Sequence, residues 1–164
     1  MGKLGKFLIV GTLLVLGACT NALGGGGGGG AGPATAGSAS DPTSPAFFQQ
    51  SVGDRVLFRV NESTFTEEAR SILNAQAQWL LANADYTAII EGHADEQGTR
   101  EYNLALGARR ANAAREFLMA RGVAGNRLKV VSYGKERPIE ICSDEVCYSK
   151  NRRAVTVLSS GLTG

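Results

Sequence analysis

The sequence predicts a two-layer α/β domain of order β-α-β-α-β-β, with two helices covering one face of a four-stranded mixed sheet. Two observations carry this expectation. Short runs of β-forming residues alternate with longer stretches of helical periodicity. The chain also changes character near residue 47, because more than half of its 22 glycines lie before that point.

The elements follow in order. "RVLFRV" (55–60) reads as a first strand. "NESTFTEEARSILNAQAQWLLANAD" then places Phe65, Ala69, Ile72, Leu73, Leu80 and Ala84 at three- and four-residue steps, with Thr64 and Glu67 spaced as a capping box. "YTAIIEG" (86–92) is apolar enough for a central strand. "NLALGARRANAAREFLMARG" is a second helix whose buried stripe is expected to be Leu104, Ala108, Ala111, Ala114 and Leu118, ended by Gly122. "RLKVVSYG" and "NRRAVTVLS" supply the third and fourth strands, with a loop holding Cys142 and Cys147 between them.

Ahead of the domain (47–162), residues 1–18 have the form of a secretory signal peptide: Lys3 and Lys6, an apolar run over 7–16, then small residues. That run is too short for a membrane span, which needs ~20 residues. "LGAC" resembles the lipobox of bacterial lipoproteins, which implies cleavage before Cys19, lipid on its sulfur and an acylated new N-terminus. Thr20 follows the cysteine, and in that family the absence of aspartate there favours the outer membrane. Residues 19–46 form a Gly/Pro/Ser-rich flexible linker. The roughly 35 residues ahead of the first strand span about 30–35 Å as a coil and up to ~115 Å extended.

The formal net charge is +2, from 17 basic and 15 acidic residues, and removing Lys3 and Lys6 brings the balance to zero. A neutral domain has no electrostatic drive toward nucleic acid. With Cys19 lipidated, Cys142 and Cys147 are left as a pair, and export would place them where disulfides form. The short loop closed by such a bridge would stabilise by ~2 kcal/mol. A thiolate metal site competes with this reading, but the spacing and the single distant histidine speak against it.

The most concentrated polar run is "EGHADEQGTREYN" (91–103), which leaves the carboxyl end of the second strand and enters the second helix, where α/β sheets bind ligands. Gly92 and Gly98 would permit a tight loop. His93, Asp95 and Glu96 match no metal-ligand set, and two adjacent loop carboxylates with no nucleophile make a poor catalytic pair, so no metal, cofactor or reaction is expected. On the helix, Asn103, Leu106 and Arg110 share one face, read as lying off the buried stripe. Asp95 and Thr99 face them from the loop. Two explanations stay open on the residues alone: an Asp95–Arg110 surface salt bridge worth ~0–1 kcal/mol, or a cradle in which Arg110 takes a carboxylate and Asp95 an ammonium of one zwitterion.

"EGHADEQGTREYNLALGARRANA", "VVSYGKERP" and "YSKNRRA", in that order, closely resemble the peptidoglycan-associated lipoproteins of the Tol–Pal system, within the wider group of OmpA-like domains. The resemblance covers about residues 54–158. It implies a non-enzymatic domain that binds peptidoglycan through diaminopimelate, whose side chain ends in the zwitterion considered above. It also implies TolB as a partner, a place in the outer membrane, and a role in envelope integrity and cell division. The family's principal ligands fall on Asp95 and Arg110, and its threonine, asparagine and leucine contacts on Thr99, Asn103 and Leu106. An aspartate that usually ends the first strand is replaced here by Asn61, which keeps hydrogen-bonding capacity but not charge. Another OmpA-like wall-binding module, or a cell-wall hydrolase, would be the alternatives.

Overall fold

A computed structural model describes residues 37–141 and 143–160. The expected signal peptide, the lipid-bearing Cys19, most of the linker, and Cys142 of the expected cysteine pair lie outside the described residues. The sheet has the order β1-β4-β2-β3, with β1 Arg55–Leu57, β2 Tyr86–His93, β3 Leu128–Gly134 and β4 Arg153–Ser160. β4 runs antiparallel to both β1 and β2, and β2 pairs in parallel with β3, so the sheet is mixed as expected.

Among the described residues, four α-helices accompany the strands. α1 (Pro45–Phe47) continues as a π-helical turn over Phe48–Gly53, and Ser44 caps its start. The packed chain begins a few residues earlier, since the Trp79 indole donates to the Pro42 carbonyl at 2.7 Å and Phe48 is wholly buried against Trp79. α2 (Glu67–Ala82) and α3 (Arg100–Ala120) pack on the sheet. Their apolar faces close over Val56, Ala88, Ile90, Leu128 and Ala154 to form the core. Among the described residues no helix is long and apolar enough to cross a membrane.

Several expected details differ. The first strand stops at Leu57 rather than residue 60, because the carbonyls of Arg59 and Glu62 turn inward to Arg110 and Asn61 takes a left-handed backbone (φ 58°). The N-cap of α2 is Thr66, accepting from the Ala69 amide, while the expected cap Thr64 donates its hydroxyl to Glu62 at 2.9 Å. Ala84 falls beyond the end of α2 and is exposed. A further helix, α4 (Glu145–Asn151), occupies what was read as a loop, capped by the Asp144 carboxylate on the Cys147 amide.

The buried stripe of α3 is rotated from expectation. Leu104 is 48% exposed, whereas Asn103, Leu106, Gly107 and Arg110 are buried beside Ala111, Ala114 and Leu118. The cause is a backbone-to-backbone contact between α3 and β2. A Cβ on Gly92 would stand 1.8 Å from the Gly107 carbonyl oxygen, and one on Gly107 would stand 2.8 Å from that of Gly92. Gly92 therefore serves close packing rather than a tight loop, and only Gly98 (φ 90°) of the two supplies the turn. This approach presses the polar face of α3 onto the end of β2.

Candidate functional site

The loop over 94–99 leaves β2 and is fixed on three sides. The Ala94 amide donates to the Gly134 carbonyl at 2.8 Å, and Lys135 donates to the carbonyls of Glu96 and Gly98 at 3.3 and 2.7 Å. The Asn103 side chain, 1% exposed, donates to the Gln97 carbonyl at 2.7 Å. Thr99 caps α3 by accepting from the Tyr102 amide. Leu106 is buried one turn beyond Asn103.

Arg110 lies beneath this loop with no exposed surface. Its Nε donates to the Glu62 carbonyl at 2.8 Å, Nη1 to His93 at 2.9 Å and Nη2 to Arg59 at 3.0 Å. The guanidinium stacks 5.1 Å from the centre of the Phe58 ring. Burial pushes its pKa down to about 10, against the opposing pull of the Asp95 charge. One side chain thus gathers the end of β1, the loop after it and the end of β2. Three of its five N–H groups are used this way.

Asp95 is 7% exposed. Its Oδ1 accepts from the Gln97 amide at 3.2 Å, and its Oδ2 pairs with Arg152 Nη1 at 3.1 Å. The surface salt bridge to Arg110, one of the two explanations left open, is not formed; the ionic partner of Asp95 is Arg152. Sequence reasoning missed Arg152, although it stands in the quoted "NRRA". Arg152 also donates to the Phe58 carbonyl at 3.1 Å and to both carboxylate oxygens of Glu145, the first residue of α4. Burial works to lower the pKa of Arg152, but its bonds to Glu145 and Asp95 outweigh that and raise it, while Arg152 holds Glu145 below the usual carboxylate range.

Asn61 lies across the site from α3. Its Oδ1 accepts from the Tyr102 hydroxyl at 3.2 Å, linking the loop after β1 to the first turn of α3. His93 contributes its backbone carbonyl to Arg110. Its ring lies 5.5 Å from that of Tyr133, with Nε2 3.5 Å from a Glu91 oxygen. Burial, and then the charges of Arg153 and Arg137, hold its pKa down to about 4. The arrangement therefore offers a nearly buried carboxylate and a buried guanidinium, each fixed by internal bonds and each with capacity to spare. That chemistry suits holding opposite charges.

Residues 57–152 match the OmpA family model. A peptidoglycan-associated lipoprotein of Mesorhizobium japonicum is 56% identical over 126 residues, covering 77% of this chain and 71% of that protein. Another, from Pasteurella multocida, is 40% identical over 156 residues, covering 94% of this chain and 98% of that protein. The crystal structure of the peptidoglycan-associated lipoprotein from Burkholderia pseudomallei superposes with a TM-score of 0.65 at 36% identity, covering 74% of this chain and 98% of that one. The chain belongs to the OmpA family, among the peptidoglycan-associated lipoproteins.

Proposed function

We propose that this protein is a non-enzymatic lipoprotein that grips peptidoglycan, with Asp95 and Arg110 holding the ammonium and carboxylate of a diaminopimelate side chain. The observation that carries the reading is the opposed pair at the carboxyl end of β2. Asp95 spends one bond on each oxygen, and Arg110 keeps two N–H groups, one on Nη1 and one on Nη2. A zwitterion would use both without adding net charge to a low-dielectric site. Thr99, Asn103 and Leu106 would add contacts from the start of α3, and Asn61, bonded to Tyr102, would add one from the loop after β1.

The rest of the reading is architectural. A lipid on Cys19 would hold the outer membrane, the glycine linker would span the gap, and the domain would hold the wall, in the Tol–Pal system with TolB as partner. The match to the Pasteurella protein supports this, because it extends well N-terminal to the OmpA-like segment. Cys142 and Cys147 would be bridged. Intact mass of the purified lipoprotein tests both features: acyl mass lost in Cys19→Ala, and two hydrogens gained on reduction.

The deciding experiment is co-sedimentation with purified sacculi. Asp95→Asn keeps shape and leaves Arg152 bound to Glu145 and the Phe58 carbonyl, so the fold should survive while wall binding is lost. Undiminished binding by a folded Asp95→Asn protein would sink the assignment. Release of muropeptides in the same assay would replace binding with hydrolysis.

A further inference from the structure

We infer that Glu145 is a specificity-determining residue of the wall site: it keeps the Asp95 end negative, so that the site takes an ammonium together with a carboxylate rather than a carboxylate alone. The inference rests on the Asp95–Arg110 cradle proposed above and adds to it a residue that acts through Arg152. Glu145 opens α4, where the Asp144 carboxylate accepts from the Cys147 amide at 3.1 Å and fixes the start of the helix. Its own carboxylate takes both terminal nitrogens of Arg152, Oε2 accepting from Nη1 at 3.3 Å and Oε1 accepting from Nη2. The same Nη1 donates to Asp95 Oδ2 at 3.1 Å. One guanidinium nitrogen is therefore shared by two carboxylates.

The sign of this chain of charges decides what it attracts. Asp95 and Arg152 alone sum to zero, and an ammonium arriving there would find its carboxylate already neutralised. Glu145 brings the three linked groups to a net charge of −1, opposite in sign to Arg110. The two ends of the site then match the two ends of a zwitterion. Asp95 and Arg152 are nearly buried, so little water screens the charges between them. The Glu145 side chain is 66% exposed and reaches them through Arg152. Arg152 holds the Glu145 carboxyl below the usual carboxylate range, so it is ionised at neutral pH. The influence extends to the other end of the site. Arg110 senses the Asp95 charge, which favours its cation, and the Arg152 charge, which opposes it.

A tie that only held α4 to the sheet would behave differently. In Glu145→Gln, Arg152 keeps its bonds to the Phe58 carbonyl at 3.1 Å and to Asp95. The guanidinium stays in place, and Asp95 alone balances its charge. The ammonium arm of a ligand then weakens, while the carboxylate arm at Arg110 does not. A loosened α4 would weaken both arms together.

The test uses the full chain in detergent and three fluorescein-labelled tripeptides, with binding read by anisotropy. Each is L-Ala-γ-D-Glu followed by meso-diaminopimelate, 2-aminopimelate or lysine. They differ only at the far end of the last side chain, which carries both charges, the carboxylate alone or the ammonium alone. The wild-type protein should prefer the diaminopimelate peptide to both others. In Glu145→Gln its preference over the 2-aminopimelate peptide should fall about threefold, and in Glu145→Lys it should fall further. Because two peptides are compared on one protein, a general loss of fold or affinity cancels. The ratio isolates the coupling between Glu145 and the ligand ammonium. An unchanged preference in both variants, or equal weakening of the diaminopimelate and 2-aminopimelate peptides, would overturn the inference. A wild-type protein that bound all three peptides alike would refute the cradle itself and this inference with it, a result read before any variant is made.

Discussion

Arg110→Met removes a buried charge but keeps much of the volume, and the structure fixes what it should cost. Three carbonyls, of Arg59, Glu62 and His93, the last of them buried, lose their donor. At ~1.5–3 kcal/mol for each bond to a charged group, the gross loss is roughly 6 kcal/mol. Opposing it is relief from burying a cation. A pKa pushed from 12.5 to about 10 corresponds to about 3 kcal/mol. The net expectation is a destabilisation of about 3 kcal/mol, a large fraction of an ordinary domain's stability. With a urea slope of ~1.5 kcal/mol per molar, the midpoint should fall by about 2 M at unchanged slope. A fall of less than about 0.5 M would show that the carbonyls find water or other donors, and that Arg110 is not a structural staple. The same arithmetic makes Arg110→Ala a poor probe of wall binding, since its loss of binding would mix ligand contact with collapse of the loop after β1.

Two further outcomes follow from the packing. Gly92→Ala should destabilise by more than the ~1–3 kcal/mol usual for overpacking, because a Cβ there meets the backbone oxygen of Gly107 at 1.8 Å; an unchanged melting temperature would refute the close approach of α3 to β2. His93 has a folded pKa near 4 against 6.5 unfolded, so the unfolded chain binds the extra proton and stability should decline by about 3 kcal/mol as pH falls from 6.5 to 4. His93→Phe, which keeps the ring against Tyr133, should flatten that window in urea titrations, and an equal slope in both proteins would remove His93 as its cause.

The fold was legible because its strands and helices obey their own periods. Ile90 and Ala88 alternate with Ile89 along β2, and Ala111, Ala114 and Leu118 recur at helical steps, so both elements were placed within a few residues. The site was legible only in part. A hydrophobic pattern counts Asn103 and Arg110 as outward-facing, yet both are buried because backbone carbonyls serve as their partners. Which carbonyls turn inward depends on the path of residues 59–62, which no periodicity encodes. Thr64 alone had the capping-box spacing to a glutamate, yet Thr66 caps α2 while Thr64 donates to Glu62. Arg152 was hidden by distance, standing 57 residues from Asp95 in sequence and 3.1 Å away in space.

Arg152 changes what the site can select. Asp95 and Arg110 considered alone would accept any ammonium or any carboxylate that reached them. With Arg152 bound to both Asp95 and Glu145, each of these two carboxylates already has a cationic neighbour. A lone ammonium approaching Asp95 meets Arg152, and a lone carboxylate approaching Arg110 meets the charge of Asp95. Either would bring an uncompensated charge beside buried groups, which is costly. A group carrying both charges on one carbon brings none. Under the proposed function, the second arginine and α4 make the selection for a zwitterion, and the buried pair supplies the bonds.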